Sequence, residues 1–252
     1  LFGFLRALGN VYSGFDLLMK MNIPSVVYNM LPYIVSLVVL AFGTAMMVQG
    51  DFGVSMVTAP AYVLHLKLSQ YLPFFTFGMA EYSTQMIALA LMLLVVRRLK
   101  WGYLLTFATA ILYGFMMDGA LALVSLIPTD LLAVRIALYI PGLLTCSAAI
   151  ALILTSYFPP AAYELFVKET SAKWRKPLKT VKTVYDCTSL VIAVVLSLLF
   201  FGRLEGVGVG TVVSAFINGT LIHLFGNLYR RLFTFTDRYP WRRYFEEREE
   251  QL

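Results

Sequence analysis

The chain has 252 residues, 60% of them hydrophobic and only 13% charged, with a formal charge of +6 and a mean hydropathy of +0.77. A soluble domain carries about a quarter charged residues, so this composition excludes that class and predicts an all-α, polytopic membrane helix bundle. Cys146 and Cys187 both fall in apolar stretches without the spacing of a disulfide framework or a metal set, so neither metal nor cofactor is expected.

In chain order, residues 1–19 carry apolar side chains at helical spacing and predict an interfacial anchor within an N-terminal segment, 1–29. No cleavable signal peptide is recognisable. Six segments then reach the roughly 20 apolar residues that a bilayer core requires: 31–49, 77–96, 102–126, 131–157, 181–201 and 207–228. Two shorter ones, 54–67 and 159–168, follow the first and fourth spans and are expected either to lie at the interface or to re-enter the bundle. Gly50-Asp51-Phe52-Gly53 and Pro159-Pro160 are suited to the backbone breaks that re-entry requires. The mixture of Arg, Glu and aromatic residues in 230–252 predicts a cytoplasmic surface tail.

With the amino end inside and six crossings, 17 of the 20 Lys and Arg residues fall on the cytoplasmic side, leaving only Lys67, Arg135 and Arg203 outside. The positive-inside rule therefore predicts a multi-pass protein of a bacterial cytoplasmic (inner) membrane with both termini cytoplasmic. Anionic lipid accounts for the basic balance, and no nucleic acid partner is expected.

Residues 81–118 can be laid over 186–223 without a gap, and ten of the 38 pairs are identical. Glu81 meets Asp186, Thr106 meets Thr211, Gly114 meets Gly219 and Asp118 meets His223. Three full crossings per half reverse the second half relative to the first, which predicts an inverted 3+3 repeat with halves 30–128 and 129–229. The short segments agree, since Ala61-Tyr62-Val63-Leu64-His65 is similar to Ala162-Tyr163-Glu164-Leu165-Phe166.

Asp51-Phe52-Gly53-Val54-Ser55, Tyr62-Val63-Leu64, Leu68-Ser69 and Phe77-Gly78 resemble the first half of the YczE/YyaS/YitT family of bacterial integral membrane proteins. Gly206-Val207-Gly208-Val209-Gly210-Thr211, followed by Ala215 and Gly219, is similar to that family's glycine-threonine helix signature. The resemblance spans about residues 35–228 and departs at Met56 and at Phe158-Pro159-Pro160. It implies membrane location and topology more than a mechanism.

Charge in a bilayer is costly, so Glu81, Asp118, Asp186 and His223 are the candidates for a substrate or ion pathway. Depth counting puts Glu81 and Asp118 in the outer half and Asp186 and His223 in the inner half, with His65 and Glu164 on the short segments available to join each pair. Thr106, Gly114, Thr211 and Gly219 lie on stripes of small residues that read either as a packing seam or as a cavity wall. Tyr62, Tyr82, Tyr163 and Tyr185 could form aromatic walls or interfacial anchors. His223 is the natural proton-coupling group, because its ordinary pKa is near physiological pH.

These features predict a small secondary transporter or exporter of a small organic metabolite, working by alternating access with protons as coupling ion. The alternative is a non-transporting membrane scaffold or accessory subunit. The partners are the lipid bilayer and a small-molecule substrate, and so thin a bundle leaves a homodimer open. No Cys-His or Ser-His set and no paired carboxylates occur at catalytic spacing, so an enzyme is not expected.

Overall fold

The computed structural model describes residues 25–28, 30–97, 101–155 and 161–236. The anchor expected over 1–19, the Pro159-Pro160 break and most of the 230–252 tail lie outside these residues. Among the described residues eight helices make up the body: α1 (Met30–Gly50), α2 (Ala59–Leu68), α3 (Phe77–Val96), α4 (Trp101–Val124), α5 (Leu132–Thr155), α6 (Ala162–Trp174), α7 (Leu178–Phe201) and α8 (Val209–Leu232). Six of them, all but α2 and α6, are long and apolar enough to cross a membrane, so this is a multi-pass membrane protein. Leu91, Leu94, Phe115, Leu123, Leu199 and Phe216 point outward and are exposed, as the side of a bundle facing lipid requires.

The helix ends follow local chemistry. Thr76 opens α3 by accepting a hydrogen bond from the Met79 amide at 3.2 Å. Arg97 and Arg175 close α3 and α6 in the left-handed conformation, and Gly202 closes α7 in the same way. The first short helix starts at Ala59, later than the expected 54, because Asp51 and Gly53 both take positive φ and the chain turns before it can coil. The second runs on to Trp174, past the expected 168. Gly206, also at positive φ, delays α8 to Val209.

α1 and α5 form the centre and run antiparallel. A Cβ on Gly50 would stand 3.0 Å from the Arg135 carbonyl oxygen, and one on Gly43 would stand 2.8 Å from Cys146 Sγ. Small residues at these crossings let the two backbones approach closely. α4 packs on α1, and α8 packs on α5. α3 lies against α4 and α6, while α2 lies against α3 and α7.

The short helices run alongside long ones. Ala59 and Val63 of α2 share an apolar cluster with Ala193 of α7, and Lys67 Nζ donates to the Phe200 carbonyl at 3.3 Å. On α6, the Tyr163 hydroxyl meets Thr84 Oγ1 of α3 at 2.7 Å, and Lys173 Nζ donates to the Val95 carbonyl.

Among the described residues two strands flank the helical body. β1 (Ser25–Tyr28) and β2 (Phe233–Thr236) pair in parallel, with Ser25 opposite Phe233. The pairing brings the start of α1 and the end of α8 to one face of the bundle, as an even number of crossings demands. Period-3.6 apolar reading of the sequence gave no sign of it, because each strand is only four residues long.

Candidate functional site

A cavity of about 660 Å³ lies inside the bundle, walled by α1, residues 55–58, α3, α4, α5, α6, α7 and α8. This volume suits a small organic molecule. Leu37, Leu40, Met47, Leu143, Ile150 and Leu154 make much of its wall apolar. Polar groups sit at two levels.

The deeper level belongs to Glu81 and Gln85, each 2% exposed. They are four residues apart on α3, so they share a face, and Gln85 Nε2 donates to Glu81 Oε1 at 3.3 Å. Glu81 Oε2 and Gln85 Oε1 have no hydrogen-bond partner. The Tyr163 hydroxyl stands close to Glu81, but its 2.7 Å partner is Thr84. Tyr113 completes this level and meets Thr44 Oγ1 at 3.4 Å.

The second level holds Glu164, Lys168, Lys182, Asp186, His223 and Arg230. Lys182 pairs with Asp186 at 2.9 Å across one helical turn. Arg230 donates to Asn227 Oδ1 at 2.7 Å, and Asn227 Nδ2 lies 3.3 Å from His223 Nδ1. The cavity reaches this end through the space between α7 and α8, which do not pack against each other as α3 and α4 do. Thr183 and Gly219 both line the gap, and a Cβ on Gly219 would meet nothing within 4 Å.

Five of the ten candidate residues therefore line one cavity: Glu81, Glu164, Asp186, Gly219 and His223. The other five stand in the surrounding structure. Asp118 is tied to the start of α3, where its Oδ1 accepts from the Gly78 amide at 2.7 Å and its Oδ2 accepts from Thr76 Oγ1 at 2.6 Å. Gly114 sits under Gly78, with room for no side chain between them. Thr106 and Thr211 are fully buried within their helices, and Thr211 Oγ1 accepts from the Gly208 amide at 3.3 Å. His65 belongs to an aromatic group with Tyr62 and Phe77, its Nδ1 lying 3.0 Å from the Phe75 carbonyl oxygen.

Gln85 and Tyr113 escaped the sequence reading. A search for ionisable residues passes over a neutral amide, and the repeat sets Gln85 against Leu190, so duplication did not mark it either. The available signal was position, one turn beyond Glu81.

The opposite end of the bundle is sealed by backbone. The Gly210 amide donates to the Phe52 carbonyl at 2.8 Å, and Gly53 and Gly208 lie so close that neither could carry a Cβ. Arg135 adds a clamp from α5, with Nε donating to the Gly50 carbonyl at 3.1 Å and an ion pair to Asp51 at 2.6 Å. A smaller depression of about 350 Å³, lined by Asp51, Tyr62 and Glu205 among others, lies beside this seal.

A family described as "Family of unknown function (DUF6198)" has a sequence model that matches residues 27–227. No curated protein and no solved structure matches the chain.

Proposed function

We propose that this chain, which belongs to the DUF6198 family, moves a small organic metabolite across a bacterial cytoplasmic membrane by alternating access, with protons as coupling ion. The two working units are the inverted repeats 30–128 and 129–229, and both termini are cytoplasmic. The helix pairings support this. Exchanging α1–α4 for α5–α8 leaves α1 against α5, turns α1 with α4 into α5 with α8, and turns α3 with α6 into α7 with α2. α2 and α6 act as outward-running arms of re-entrant segments, because each lies along a spanning helix rather than across its end. The wider YczE/YyaS/YitT group remains the resemblance that fits this topology.

One observation carries the reading. Gly114 is locked against Gly78, whereas its repeat counterpart Gly219 faces open space between α7 and α8. Two halves of like sequence thus hold one seam shut and the other open, as an inward-facing carrier does. A scaffold whose halves simply pack would have two dry seams; the 660 Å³ cavity and the unmet Glu81 oxygen favour transport instead. Proton coupling falls to the groups that line the path, Glu81 deep and Asp186 and His223 near the inner mouth.

The test is uptake of radiolabelled amines, carboxylates or sugars into proteoliposomes with and without a pH gradient. Transport predicts saturable uptake of one class, driven by the gradient and lost in Gly219→Leu. Silence for every class, with the protein reconstituted and folded, overturns the reading.

A further inference from the structure

The inner cavity has an unusual polar balance. Asp186 has Lys182 at 2.9 Å, and Lys182 also faces Glu164. Arg230 is held by Asn227, and the groups that act on Glu81 are Gln85, Tyr163 and Glu164, none of them basic. Beside it, Gln85 carries a second unmet acceptor, and both side chains line the cavity while their unmet oxygens lie just beneath its surface. Two buried acceptors without donors are costly unless a ligand supplies the donors. A primary ammonium carries three donors and no acceptor, so it can satisfy both oxygens at once. The Tyr113 and Tyr163 rings line the same region and can face a cation, while Leu143, Ile150 and Leu154 suit an apolar body.

We infer that the cavity binds a small protonated amine with an apolar body, its N–H groups taken up by the Glu81 carboxylate and the Gln85 carbonyl oxygen as these two side chains turn toward it. The inference rests on the cavity being a substrate site, as proposed above, and names the substrate class. A carboxylate ligand would set its charge against Glu81, and a neutral alcohol has one donor for two acceptors. The competing arrangement is a closed acid–amide pair, in which a protonated Glu81 and a reoriented Gln85 satisfy each other and need no ligand.

The experiment is calorimetric titration of the purified full chain in nanodiscs with 2-phenylethylamine, 2-phenylethanol and 3-phenylpropanoate, three probes of similar size. The expected result is saturable binding of the amine and at least tenfold weaker binding of the other two. Glu81→Gln should weaken the amine at least tenfold and Gln85→Leu severalfold. The wild-type comparison needs no variant, so it stands even where a substitution harms folding. Equal affinities for the three probes, or amine binding untouched by both substitutions in folded protein, overturns the inference in favour of the closed pair. Binding and flux separate the two proposals. Glu81-dependent amine binding without amine flux keeps the site and removes transport, whereas flux of another class without amine binding does the reverse.

Discussion

Gly114 lies so near Gly78 that a Cβ on Gly114 would stand 2.8 Å from the Gly78 carbonyl oxygen. That oxygen belongs to the helix backbone and cannot yield as a flexible side chain would. Gly114→Ala is therefore expected to force α3 and α4 apart and to cost about 1–3 kcal/mol, the usual range for overpacking. Gly219→Ala meets nothing and should be neutral or slightly stabilising, since alanine favours a helix by up to about 1 kcal/mol over glycine. Thermal unfolding of the two variants in detergent checks this, with opposite shifts expected. Gly219→Leu, whose Cβ likewise meets nothing, should keep its stability while losing transport, because the leucine would stand where α7 must close.

Asp118 acts through Thr76 as well as directly. Its carboxylate accepts from the Gly78 amide and from Thr76 Oγ1, and that same hydroxyl oxygen accepts from the Met79 amide. Asp118→Ala should leave these donors unmet at the start of α3 and cost about 1–3 kcal/mol. Asp118→Asn keeps one acceptor and should cost less. The measurement is the melting temperature of both variants together with flux normalised to folded protein. Normalised flux should stay near the wild-type level, which separates a positioning role from one in the pathway.

At the sealed end, the Arg135–Asp51 ion pair is solvent-exposed on its acidic side, at 78%. Exposed pairs contribute about 0–1 kcal/mol, so Asp51→Ala should matter little. Arg135 also donates to the Gly50 and Asp51 carbonyls, and its loss removes the tie between α5 and the turn after α1. Arg135→Ala should thus be the more damaging by about 1 kcal/mol. A double-mutant cycle read by thermal unfolding checks the order, with a small coupling term expected between the two positions.

The spanning helices were legible because length and hydropathy determine them: each expected span lies within a few residues of an observed helix. The start of α2 was not, since positive φ at Asp51 is a conformational choice that a general run of apolar residues conceals. Glu81 could be found by the cost of its charge in a bilayer, and Gln85 could not. Asp118 shows the limit of that rule. A carboxylate in an apolar helix can answer a neighbouring helix's orphan amides, and only the geometry of α3 and α4 distinguishes this from a place in the pathway. The threonines of the two repeats teach the same lesson, because Thr106 and Thr211 are fully buried outside the lining of the cavity, and Thr211 Oγ1 is taken by the Gly208 amide.

Alternating access requires that the two seams be coupled, so that opening one closes the other. The most direct measurement places spin labels on exposed positions at the two ends, Phe74 with Ser125 beside α3 and α4, and Thr180 with Arg231 on α7 and α8, in a background carrying Cys187→Ser. Electron–electron distance distributions are then compared with and without Gly114→Leu, which breaks the closed seam without touching the open one. Coupled seams require that the 74–125 distance lengthens and the 180–231 distance shortens in the same population. A longer 74–125 distance with the 180–231 distance unchanged would contradict it.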